Sequence, residues 1–333
     1  MNLIEETVLV TGATGFVGEA VVFGLLQEGK RVVAAVRNIP LQKQLQPVMS
    51  SVSWVEKIEI NNETEWNNVF GKTKVVVHCA ALTVLSGGAA DSLVSFRDVN
   101  VLGTLRLARQ AAAAGIHRFV FLSSIKVNGE SSPVGRPFTE VSTLAPQNAY
   151  GQSKVDAEKG LMDISRETGM DVVIVRSPLV IGSGAKGNIA SMLRMVQLGV
   201  PLPLGAINNR RSLVSLSNLV SLLLLCADPK ISPKAANQIF VVADGEDIST
   251  TNLLHKIAQA AECPNRLLPI PVSLLRAVFN LFGQRAISDR LIGNLQVDTT
   301  KVRTMLDWSP VVTLDEELNK IFNAIRLKSR RIL

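Results

Sequence analysis

Cysteine is scarce: 333 residues hold only Cys79, Cys226 and Cys263. Their odd number, wide spacing and lack of any CxxC or Cys/His grouping exclude a disulfide framework and a zinc site, and reduced thiols, as in cytoplasm, are expected. Histidine is as rare, and His78, His117 and His255 show no ligand spacing, so a metal is not expected. No hydrophobic run is long enough to span a bilayer. The longest, Leu213 to Ala227, is interrupted by Ser215, Ser217, Asn218 and Ser221. A charged-then-apolar leader is also lacking: Glu5 and Glu6 run straight into Thr7 to Thr11, and a cytoplasmic protein is expected. Basic residues outnumber acidic ones, 35 to 28, for a net charge of +7. Yet there is no finger spacing, no aromatic RNA-binding strand and no long Lys/Arg run, which argues against nucleic acid and leaves anionic small molecules as suitable partners. The basic cluster Arg326, Lys328, Arg330 and Arg331 reads as a solvated tail. Internal repeats and low-complexity segments are missing too.

What is plentiful is apolar surface. At 47% hydrophobic residues the chain can bury a sizeable core, which excludes disorder. Short β-branched runs at Thr7 to Thr11, Arg31 to Val36, Val75 to His78, Phe119 to Ser123 and Val172 to Arg176 alternate with segments of helical periodicity. That rhythm predicts a Rossmann-type α/β fold, a doubly wound parallel sheet covered on both faces. Helices are expected from about Phe16 to Gln27, from about Ser92 to Ala114, and from Asn148 onward, the first two ending near Gly29 and Gly115. After Arg176 a Gly/Pro-rich stretch breaks the rhythm. We therefore expect a dinucleotide domain over 1–176. Residues 177–333 are expected to form mainly a smaller α/β substrate lobe, with some chain returning to the main sheet. The helix Leu216 to Cys226 and the strand Gln238 to Val242 are placed in that lobe. The amphipathic stretch Val272 to Phe282 is expected to cover it.

Thr11-Gly12-Ala13-Thr14-Gly15-Phe16-Val17-Gly18 follows the first strand and opens the first helix. In that position glycines let the backbone turn tightly and approach a pyrophosphate, while the helix N-terminus offers N–H groups and a positive dipole end. The second strand ends at Val36-Arg37-Asn38, where an NAD enzyme usually places an acidic residue for the ribose 2′-hydroxyl. Arg37 reverses that charge and suits a 2′-phosphate, so NADP(H) is expected ahead of NAD(H).

The only tyrosine, Tyr150, stands four residues before Lys154 at the start of a predicted helix, so both side chains share one face. An ammonium beside a phenol favours phenolate, and a lowered Tyr150 pKa is expected. Ser123 and Ser124 close a parallel strand; alternation lets one of the two face a site at the strand ends, and we favour Ser124. His78 and Cys79 read as packed residues.

These segments together resemble the extended short-chain dehydrogenase/reductase family, in its nucleotide-sugar epimerase and reductase branch. The likeness runs over nearly the whole chain, from Thr11–Gly18 through Asp98-Val99-Asn100, Ser124, Tyr150 and Lys154 to Arg176-Ser177-Pro178, Arg211-Ser212-Leu213-Val214 and Leu306-Asp307-Trp308-Ser309-Pro310. It implies that Tyr150 is the acid/base at the sugar C4 oxygen, that Lys154 binds the nicotinamide ribose and tunes Tyr150, and that Ser124 hydrogen-bonds the reacting oxygen. Asn100 supports the helix carrying Lys154. Ala80, Ala81, Ser177 and Pro178 join the glycine turn in lining the cofactor. Asn188, Arg211 and Arg290 occupy phosphate-binding positions for a UDP-sugar, and Lys126 is a candidate for its ring or diphosphate. A homodimer through the helices around Asp91 to Ala114 and Asn148 to Ser165 is a family expectation.

Within the branch, Ile125-Lys126 stands where dehydratases carry Asp-Glu, so elimination of water is not expected. Asn128 stands where 4-epimerases usually carry tyrosine. The segments FLSSIKVNGE (Phe121 to Glu130), the Pro201–Leu213 stretch and LQVD (Leu295 to Asp298) look most like bacterial UDP-4-keto-6-deoxy-sugar reductases, which make UDP-N-acetylquinovosamine for surface polysaccharide. The expected reaction is thus NADPH reduction of a C4 ketone. A UDP-sugar 4-epimerase with bound NAD is the first alternative, and a non-catalytic NAD(P)-binding regulator the second.

Overall fold

The β-branched and leucine-rich runs form strands because both faces of a parallel sheet must be covered, and their residues are apolar on both sides. A computed structural model of the chain describes residues 6–39, 50–83 and 93–330. The strands β1 (Thr7–Thr11), β2 (Arg31–Ala35), β3 (Val52–Val55), β4 (Thr73–His78), β5 (Arg118–Ser124), β6 (Asp171–Ser177) and β9 (Gln238–Val241) form one sheet in the order β3-β2-β1-β4-β5-β6-β9. Every neighbouring pair in it is parallel. This is the expected Rossmann-type sheet, with its switch point between β1 and β4, where a crevice opens beyond the strand ends.

Alternation along each strand divides the core in two. Val8, Val10, Val75, Val77, Val120 and Val173 face helix α1 (Phe16–Gln27) and the helix Leu216–Ala227. Leu9, Val76, Phe119, Phe121, Val172 and Ile174 face the helix Thr104–Ala113 and α2 (Ala149–Thr168). Asn148 caps α2 by accepting from the Gly151 N–H at 2.8 Å, and Gly169 ends it in a left-handed turn at φ 75°.

A second sheet, β10-β8-β7, joins β7 (Leu179–Ile181), β8 (Arg211–Ser215) and β10 (Asp247–Ile248). With the helices Asn188–Gln197, Thr250–Ala261 and Leu314–Arg330 it builds a separate core around Ile181, Leu193, Leu213, Leu254 and Phe322. Only Pro178 separates the end of β6 from the start of β7.

Three sequence expectations need correction. The helix Leu216–Ala227 and strand β9 belong to the main sheet layer, because Leu219, Leu222 and Leu223 are fully buried against that sheet and α1. The helix expected from Ser92, which lies outside the described residues, is described from Leu93 and is interrupted by a π-helical turn over Arg97–Gly103. The edge strand β3 was not anticipated. Among the described residues no helix is long and apolar enough to cross a membrane.

Truncating Leu222 to alanine should empty a fully buried site under the main sheet. The expected cost is about 2–5 kcal/mol, read as a lower urea midpoint at unchanged slope.

Candidate active site

The turn after β1 is shaped by backbone contact. Gly12 sits at φ 69°, and a β-carbon there would lie 2.8 Å from the Ala80 nitrogen. A β-carbon at Gly18 would strike the Gly12 carbonyl, so the last glycine is what lets α1 pack onto the turn. Gly15 donates its N–H to the Gly12 carbonyl at 2.8 Å, and no side chain caps α1 at Gly15. The helix therefore directs its dipole and first-turn N–H groups at a cavity of about 870 Å³ lined by Gly12, Thr14, Gly15, Phe16, Val17 and Gly18. A cradle that no β-carbon would fit is what a dinucleotide pyrophosphate needs. Ala80 and Ala81 beyond β4, and Ser177 and Pro178 at the end of β6, line the same cavity. Arg37 lines its rim and is exposed. Glu59, Ile60 and Asn61 also reach it; they follow β3, so overlooking that strand hid them from the sequence reading.

Tyr150 and Lys154 stand one turn apart on α2 and both line the cavity, as does Ser124 at the end of β5. Ser124 accepts from the Lys126 N–H at 3.3 Å, and its hydroxyl faces the same cavity as the Tyr150 phenol. Phe96 meets the Tyr150 ring edge-on at 6.3 Å. Lys154 donates to the Leu122 carbonyl at 2.9 Å and lies 4.4 Å above the Phe121 ring. Burial drives its ammonium down to about 8. The phenol departs from expectation: burial pushes Tyr150 up to about 12, and only the Ser124 hydroxyl works the other way. The Lys154 Nζ stands 6.0 Å from the ring centroid, and desolvation decides the sign.

Behind this group lies a supporting network. Ser123 donates to Glu158, one turn past Lys154, and Glu158 is paired with Arg176, whose Nη2 donates to Oε2 at 2.7 Å. Both charges are almost fully buried. The strand end thus turns Ser124 to Tyr150 and Ser123 to the buried carboxylate. Asn100 does not line the cavity. Its Nδ2 donates to Ser153 on α2 at 3.0 Å and its Oδ1 accepts from the Leu82 N–H at 2.8 Å, which ties the π-helical turn to α2. His78 is wedged between Thr11 at 2.7 Å and Thr104 at 2.9 Å, and burial lowers it to about 3; burial raises the Cys79 thiol to about 12. Neither is poised for acid–base or nucleophilic work at neutral pH.

At the other end of the cavity Lys126, Arg211 and Arg290 face it from three segments, around Glu130. Arg211 Nη1 donates to the Gly293 carbonyl at 3.0 Å. Asn188 opens the helix Asn188–Gln197, but its side chain lies outside the described residues. Among the described residues no group of His, Cys, Asp and Glu is arranged to hold a metal ion.

Residues 8–243 match the family model described as the NAD dependent epimerase/dehydratase family. The chain belongs to this family. A UDP-glucose 4-epimerase of Vibrio cholerae is 40% identical over 330 residues, spanning 98% of each protein. A UDP-glucose 4-epimerase of Rhizobium leguminosarum bv. trifolii is 30% identical over 210 residues, 62% of each. In fold the chain is similar to the UDP-glucose 4-epimerase of Thermotoga maritima with UDP-glucose, at TM-score 0.78 and 21% identity over 97% of this chain and 99% of that one. It is also similar to the Bordetella bronchiseptica enzyme WbmG in complex with NAD and UDP, at TM-score 0.74 and 19% identity over 96% and 94%.

For this member of the epimerase/dehydratase family the Lys154 ammonium sets a pH test in protein prepared without dinucleotide. Its folded-state value of about 8 lies below the ordinary lysine value of 10.5. Below about 8 both folded and unfolded chains keep the proton, and the cost of burying it is borne in full; above that the folded protein sheds the proton first. Wild-type unfolding free energy should therefore gain on that of Lys154→Met as pH rises from 8 towards 10.5, by on the order of 3 kcal/mol in urea titrations.

Proposed function

We propose that the chain is a UDP-hexose 4-epimerase working with bound NAD. One observation carries this reading: Ser124, Tyr150 and Lys154 line the same cavity as the Gly12–Gly18 cradle and the Lys126, Arg211 and Arg290 wall. The choice of epimerase is supported by the whole-length relative that bears that name.

A nicotinamide dinucleotide held in the cradle supplies reversible hydride exchange at the sugar carbon. The chain's own residues do the rest. At neutral pH a phenol near 12 holds its proton and can give it to an oxyanion forming at C4, with Ser124 as the second hydrogen-bonding group on that oxygen. The cycle opens in the other sense: the Tyr150 phenolate, beside the Lys154 ammonium, first takes the proton of the C4 hydroxyl, and the phenol so formed gives that same proton back to the oxyanion. Arg211, Arg290 and Lys126 anchor the diphosphate, remote from the reacting carbon, so that the sugar can turn its other face while the nucleotide stays bound. A homodimer is part of the proposal, because Leu93 and Val94, 72% and 77% exposed, stand at the start of the helical segment expected to pair; Asp91 lies outside the described residues.

A second reading, NADPH-dependent reduction of a UDP-4-keto-6-deoxy-hexosamine to a product such as UDP-N-acetylquinovosamine, is favoured by Arg37 at the cavity rim. The decisive assay incubates purified protein with UDP-galactose and with UDP-N-acetylglucosamine in the absence of reductant and resolves the C4 epimers by chromatography. Interconversion with no net cofactor change is expected. Stoichiometric NADPH loss with the 4-keto sugar, together with inert UDP-hexoses and tighter binding of NADP than NAD, would establish the reductase instead. In either reaction Tyr150→Phe should lower kcat by about 10²- to 10⁴-fold without moving Tm.

A further inference from the structure

Glu130 is the carboxylate at the centre of the cationic wall. Its Oε1 lies 3.2 Å from Lys126 Nζ, and its Oε2 lies 3.8 Å from Arg290 Nε. Its charge also acts on Arg211, offsetting part of the burial that lowers that guanidinium. Three cations facing one cavity repel one another, and a carboxylate among them lets them stand together before any ligand arrives. Three positive groups and one negative leave two positive charges in excess, which matches one negative charge on each phosphate of a nucleoside diphosphate sugar.

The same Oε1 accepts from Asn148 Nδ2 at 2.6 Å. Asn148 is the cap of α2, and its Oδ1 accepts from the Gly151 N–H directly after Tyr150. The Oδ1 does the capping, and Glu130 holds the nitrogen end of the same amide, which fixes the orientation of the cap. The chain also runs close on the other side: a β-carbon at Gly151 would lie 2.9 Å from the Lys126 carbonyl oxygen. Glu130 therefore touches the substrate wall with one set of contacts and the first turn of the catalytic helix with another.

We infer that Glu130 is a positioning residue with two separable roles: it moderates the affinity of the Lys126, Arg211 and Arg290 wall for the substrate's diphosphate, and through Asn148 it places Tyr150. The inference rests on the reading that this wall takes the diphosphate of a UDP-sugar. A wall of three unopposed cations would hold product as firmly as substrate and slow its release, so the carboxylate trades affinity for exchange.

Two substitutions separate the roles. Glu130→Gln removes the charge but keeps an oxygen to accept from Asn148; Glu130→Ala removes both. UDP binding to the NAD-loaded protein is measured by calorimetry at low and high salt, kcat and KM with UDP-galactose, and folding by thermal melt. Both variants should bind UDP about tenfold more tightly at low salt, with the gain shrinking at high salt. Glu130→Ala should lose about tenfold more kcat than Glu130→Gln, because only it frees the cap. Equal UDP affinity in all three proteins, or equal kcat loss in the two variants, overturns the inference. A wild-type protein that fails to bind UDP at all overturns the functional reading beneath it, and that result is distinct from unchanged binding in the variants.

Discussion

The buried ion pair between Glu158 and Arg176 is the joint on which the arrangement of Ser124, Tyr150 and Lys154 depends. Arg176 comes from β6 and Glu158 from α2, and the guanidinium also donates to the Asn128 side chain and to the Glu140 carbonyl. Glu140 in turn accepts from the Val241 N–H of β9. Two buried charges that satisfy each other and three further groups hold helix, three strands and the segment after Ser124 in one register, and removing either partner leaves the other stranded in a dry interior. Ser123 is tied to that carboxylate, which leaves Ser124 to face Tyr150.

Around this joint, charge is distributed by function. The end proposed for the dinucleotide relies mainly on backbone: glycine turns, a helix terminus and strand ends supply N–H groups and dipoles, with Arg37 and Glu59 beside them. The end proposed for the substrate relies on side chains carried by three separate segments, with Glu130 among them. Lys154 and Tyr150 stand between the two ends, and desolvation holds Lys154 down to about 8 and Tyr150 up to about 12, opposite displacements with the same cause.

Much of this was legible in the sequence because the constraints are local. The glycine turn is dictated by φ and by contacts with the next few residues, and the Tyr150 to Lys154 spacing is one helical turn. Ser124 against Ser123 was a matter of strand alternation. What the sequence hid depends on distant packing. Edge strand β3 is four residues with one buried position in its pattern, too short to show a period. The helix Leu216–Ala227 is apolar on most sides, and its sequence does not say which sheet it covers. The sign of the Tyr150 shift was misjudged because Lys154 is visible in the sequence whereas burial is not. Glu130 drew notice only as part of a departure from the family pattern, since its partners Asn148 and Arg290 are far along the chain. The preference for a reductase rested on Arg37, on the text after Ser124 and on the short segments Pro201–Leu213 and Leu295–Asp298, local features that a whole-length likeness to an epimerase outweighs.

The single residue between β6 and β7 has a mechanical meaning. Pro178 is at once one of the links between the two sheets and part of the cavity lining, and a proline link has little torsional slack. Any rocking of one sheet against the other is therefore transmitted through this residue to the wall of the cavity.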